Sequence, residues 1–186
     1  MTFEEEISSV EPDVRYDYII QDIIRDKNSS WSHDYYSNSS STWTIKQAIS
    51  QSEIDRLNSR INVLNGTMKK LDQQIANSKL NPNEKGFKSL SPADIERIDQ
   101  GFKDAVYEIR ECQGDLDSEK PKCEQFRFNA MVDSRRIVGL RDLRNRFVMD
   151  GDLDFLSRGV TWVHQRYYRE IGGEPPDIKP PSGSAW

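Results

Sequence analysis

The feature that most constrains this chain is an unbroken heptad run. Its apolar positions are Ile54, Leu57, Ile61, Leu64, Met68, Leu71 and Ile75, spaced 3, 4, 3, 4, 3, 4. That alternation averages 3.5 residues and holds one apolar stripe along one side of a helix. A stripe of this kind must be covered, by the chain itself or by another. Ile54, Ile61, Met68 and Ile75 take the a positions and the three leucines take d, a pattern that favours two-stranded coils. The spacing predicts one helix from Trp43 to about Lys79. Gly66 falls outward without shifting the phase, so the Asn65-Gly66 step does not read as a hairpin.

A second run follows a connector at residues 80–90. Ser91 is placed to cap a helix, with Pro92 first and Asp94 three past the cap. Ile95, Ile98, Phe102, Ala105, Ile109 and Cys112 then repeat the same spacing. Two seams joined by a short connector can satisfy each other within one chain. Whether the first seam packs within or between chains is therefore open at this stage.

Residues 113–122 hold Gly114 and Pro121 and read as a polar loop. A third helix is expected over residues 123–149, facing inward with Phe126, Ala130, Ile137, Leu140 and Phe147. Asp133 and Arg144 fall in line with that face. Asp150-Gly151-Asp152 breaks it, and a fourth helix is expected over residues 153–171. The expected fold class is all-α: a coiled-coil-like helical bundle of about four to five helices with one overlong helix. At 1.5 Å per residue that helix spans ~55 Å against ~28–40 Å for the others, so part of it should project.

The domain reading has three parts. Residues 1–42 hold a loose acidic start, a short helix at 12–26 and a Ser/Asn-rich linker at 27–42. That linker carries Trp31, Tyr35 and Tyr36, aromatics suited to docking. Residues 43–173 form the bundle. Residues 174–186 form an extended Pro-rich tail whose end resembles a cloning linker and tag.

Composition agrees with thin helical packing. Apolar residues are 35% of the 186 and charged residues 31%. The net charge of −5 argues against a generic nucleic-acid binder. No apolar run suits a membrane span, and no signal peptide is visible, so a cytoplasmic location is expected, with a mature secreted segment as the alternative.

Chemistry-bearing motifs are sparse. Cys112 and Cys123 flank the expected loop, where a disulfide would staple the hairpin; the alternative is two reduced thiols. Asp150, Asp152 and Asp154 resemble the start of a calcium loop. Phe155 and Thr161 stand where its glycine and bidentate glutamate belong, so a turn with Asp152 as cap is the expected reading. Asn28, Asn38 and Asn65 match the glycosylation pattern, which matters only in a secreted protein. No Gly-rich phosphate loop or metal-spaced Cys/His cluster occurs, so no metal, cofactor or catalytic residue is expected.

The strongest binding signal is a set of arginines: Arg135, Arg136, Arg141, Arg144, Arg146, Arg158, Arg166 and Arg169. Arginine suits bidentate contact with phosphate or carboxylate. The set points to an anion or acidic-partner patch, or to a solvated face paired with the chain's own acids. The function expected is that of a non-enzymatic helical interaction protein: a scaffold, adaptor or assembly subunit. It would pack against itself, preferably as a dimer, or against a protein partner. The type fits a phage structural or host-interfering protein. The alternative is a nucleic-acid binder using helices 123–149 and 153–171.

Overall fold

A computed structural model describes residues 2–25 and 31–170, with the side chains of 31–33 and 167–170 outside the description. Among the described residues the chain is all-helical. It runs α1 (Phe3–Ser8), a 3-10 turn (Val14–Tyr16), α2 (Asp17–Arg25), α3 (Trp31–Ser78), α4 (Pro92–Asp150) and α5 (Leu153–Glu170). It clusters into two units. One comprises residues 1–45 and 127–186; the other comprises Lys46–Phe126. The boundary crosses both long helices rather than falling between residues 42 and 43.

The second unit is an antiparallel helical hairpin. Arg60 pairs with Glu108, Ser50 Oγ donates to Glu119 at 2.6 Å, and Arg97 donates to Gln74 at 3.1 Å. These contacts fix a single register. Ile54, Leu57, Leu64 and Leu71 are buried, with Ile61, Met68 and Ile75 half-buried. Ile98, Ala105, Cys112, Leu116 and Cys123 are buried on the facing arm. Gly101 lies against Leu71, where an added Cβ would stand 3.0 Å from Leu71 Cδ1. The first seam is thus covered by the chain's own second arm. Each fully buried Leu or Ile contributes roughly 1.5–3 kcal/mol.

Two expectations need correction here. The loop at 113–122 is the middle of α4, and the helices expected on either side of it are one. Leu116, Glu119 and Cys123 continue the spacing set by Ile109 and Cys112, so the seam never breaks. Burial along it offsets the ~3 kcal/mol that Pro121 costs inside a helix. Consequently the hairpin arms match in length within this unit, at about 50 Å each, and the overlong helices are α3 and α4 as wholes, at 48 and 59 residues.

The second correction concerns the cysteines. Both are free and buried. On one continuous helix, eleven residues separate them by about 16 Å, far beyond disulfide reach. Cys123 Sγ instead lies 3.8 Å from the Gln47 carbonyl. Unfolded protein kept without reductant should therefore titrate two thiols per chain, and a value near zero would contradict this arrangement.

The first unit gathers Ile7, Tyr16, Ile19, Ile20, Ile23, Tyr36, Leu140, Leu143, Phe155, Leu156, Val160 and Val163 into one core. The start, expected to be loose, folds because Thr2 and Glu5 form a reciprocal capping box. Phe3 meets Trp162 edge-on at 5.3 Å. The expected linker is helical from Trp31 onward, and residues 27–30 lie outside the described residues. Its hydroxyls bond back along the helix, Ser41 to Ser37, Thr42 to Asn38 and Thr44 to Ser40. Ser40 Oγ also meets Ser134 Oγ at 3.0 Å.

The break between α4 and α5 is as expected. Gly151 has φ +67°, and Asp152 Oδ1 accepts from the Phe155 amide at 3.0 Å. The Ser91–Asp94 cap also forms, with both bonds near 3 Å. The tail at 174–186 lies outside the described residues.

Candidate functional site

The arginine set divides on folding. Arg136 is 3% exposed. Its guanidinium lies 3.4 Å from Asp133, donates to the His164 carbonyl at 3.4 Å, and sits 5.2 Å from the Tyr36 ring centre. Arg146 lies over Phe155 at 3.7 Å and pairs with Asp150 and Glu4. Arg158 donates to the Val10 carbonyl at 2.8 Å and pairs with Asp154. Arg166 stacks over Trp162 at 4.6 Å. Arg135 and Arg141 are exposed and Arg144 half-buried. The Arg169 side chain lies outside the described residues. A single surface patch of all eight is therefore corrected: Arg136 is a core residue, because the apolar face of α4 turns inward there and carries it along.

Around Arg136 stands a buried polar cluster that the arginine count does not reveal. Tyr16 stacks on His164 at 4.6 Å, and Tyr36 tilts against the same ring at 5.6 Å. Asp133 accepts hydrogen bonds from the Ser39 and Trp43 side chains. The start of α3 is thereby tied to α4. One signal existed in the sequence: Asp133 in line with an apolar face. A charge there is tolerated only if partners arrive from elsewhere.

The electrostatics follow from burial. Desolvation raises the Asp133 carboxyl, against the opposing pull of Ser39 and Arg136. Desolvation likewise pushes the Tyr36 phenol well above its usual range. His164 is fully buried. Burial first, and the Arg136 charge second, lower it to about 3. Its Nδ1 lies 2.7 Å from the Val160 carbonyl, which can only accept, so Nδ1 carries the proton. Nε2 has no hydrogen-bond partner among the described residues.

These groups lock helices together, and the lock is acid-sensitive. The unfolded chain protonates His164 near pH 6.5, while the native protein leaves it neutral until about 3. His164 thus contributes stability that is complete above pH ~6.5 and lost as pH falls toward 3, at up to ~1.4 kcal/mol per pH unit. Asp133, shifted upward, acts with the opposite sign lower in the acid range. The urea midpoint followed by tryptophan fluorescence should fall between pH 7 and 5, and His164→Phe should flatten that slope. An unchanged slope in the variant would exclude His164 as its source.

At the N-terminal segment, Asp13 receives Arg15, which holds its carboxyl below the usual range, and Gln165. The Asp13 amide donates to buried Thr161 Oγ1 at 2.9 Å.

The hairpin unit presents a different surface. Ile45, at the unit boundary, and Ile49 and Val63 on α3 are exposed; so are Ile95 and Tyr107 on α4. Phe102, Lys103, Val106, Tyr107 and Arg110 line a shallow groove on α4. A small cleft at the hairpin tip is bounded by Gln74, Asn77, Lys88, Leu90, Asp94 and Arg97. Among the described residues no group of His, Cys, Asp or Glu is placed to hold a metal ion. No described helix is long and apolar enough to cross a membrane. No family model, curated protein or solved structure matches this chain.

Proposed function

We propose that the chain is a non-enzymatic helical interaction protein, a scaffold, adaptor or assembly subunit. It works by packing helix faces against a second copy of itself, preferably as a dimer, or against a protein partner. The observation that carries this reading is the set of large apolar side chains left outward on long helices. Ile49, Val63, Ile95 and Tyr107 are each more than half exposed on a hairpin whose inner seam is already filled. Exposed apolar surface of this kind marks interaction sites.

The nucleic-acid reading is weaker, because Arg136, Arg146 and Arg158 are committed to contacts inside the chain. Duplex or single-strand binding that rises steeply as salt is lowered would restore it. Sedimentation equilibrium of the full chain tests self-association. Mass should rise from one chain toward two across a micromolar concentration series. A single-chain mass at every concentration would overturn the dimer.

A further inference from the structure

Packing of helix faces as the mode of action leaves open which face and which occupant. On α4, Ile98, Ala105 and Cys112 turn toward α3. One flank round the helix lie Phe102, Val106 and Tyr107, lining the groove with Lys103 and Arg110. Phe102 and Val106 are half-buried, and Tyr107 is 68% exposed. The hairpin unit carries 13 basic and 14 acidic side chains, so little net charge opposes its association with another copy.

The charges at the two ends of this face are self-complementary. Asp99 and Arg110 lie three turns apart and therefore on one side of the helix. They stand at equal distances from a point between Asp104 and Ala105. A two-fold axis through that point, with the helices antiparallel, sets Asp99 opposite Arg110, Phe102 opposite Tyr107 and Lys103 opposite Val106. A symmetric dimer requires this property, because one patch must complement itself. Parallel pairing in register would set Arg110 against Arg110. Asp99 is held at its end of the face by Lys103, at 2.8 Å.

We propose that this face of α4 is a homodimer interface, with a second copy of the chain laid antiparallel across it so that Asp99 and Arg110 pair twice. The inference rests on the self-association proposed above. Apolar contact of Phe102, Val106 and Tyr107 supplies the affinity, and the two ion pairs set direction and register. The footprint is short, so the dimer is expected to be of roughly micromolar strength.

The test is a charge swap in the full chain, read by sedimentation equilibrium and native mass spectrometry. Asp99→Lys and Arg110→Asp are both exposed substitutions, so circular dichroism should show unchanged helicity. Each alone places two like-charge pairs in the interface and should weaken dimerisation by about tenfold or more. An equimolar mixture of the two should recover a dimer containing one chain of each. The double variant should recover a homodimer. Single variants that dimerise like the parent, or that fail to rescue each other, would overturn this interface while leaving self-association standing. A parent chain that stays monomeric would overturn both.

Discussion

Asp133→Ala should unfold the first unit at a markedly lower urea concentration than the parent, with a loss of about 3–5 kcal/mol. The reason is what stays behind. Arg136 remains 3% exposed with its carboxylate partner gone. The Ser39 and Trp43 bonds that tie α3 to α4 go with it. Replacing both partners, as Asp133→Ala with Arg136→Met, should recover part of the loss, because no uncompensated charge is then buried. The readout is favourable: no tryptophan lies in the hairpin unit, while Trp43 and Trp162 belong to the first. Fluorescence therefore follows that unit alone, while far-ultraviolet circular dichroism follows both. An Asp133→Ala midpoint matching the parent would remove the cluster from the account of stability.

Leu64→Asp should unfold the hairpin and leave the first unit folded. Leu64 is 5% exposed in the seam. Truncating a buried leucine removes about 2–5 kcal/mol, and an unpaired carboxylate in the seam adds its desolvation cost. Helical signal should drop while tryptophan emission keeps its native position. A variant that stays fully helical and only loses mass would mean that the seam serves another chain.

The first seam was legible because it depends on spacing alone; of the second, Ile98, Ala105 and Cys112 are buried as expected, Phe102 and Ile109 are half-buried, and Ile95 is exposed. Equally legible were the Ser91 cap and the Asp150–Asp152 break, where one or two residues dictate the turn. The reading failed where two signals conflicted. Gly114 and Pro121 marked a loop, yet Leu116, Glu119 and Cys123 kept the heptad phase across it, and the phase prevailed. A local breaker costs at most a few kcal/mol, while several buried seam positions outweigh it. Residues 31–42 misled for a related reason. Serine-rich composition signals a linker in isolation, but those hydroxyls find carbonyls in their own helix, and Tyr36 finds a core. The arginine set misled because counting charges along a chain does not say which of them a helix turns inward.

The heptad stripe from Ile54 to Ile75 was a property of the sequence by itself, as was the all-helical class that it implies. Periodicity is local, and any helix carrying it must bury that side. What covers the stripe was decided only in the tertiary structure, which laid residues 92–126 along it as a matched arm. Only there, too, did Asp133, Arg136, Tyr36 and His164 meet. A buried polar group is stable only when partners from distant helices reach it, and no window of sequence contains them all.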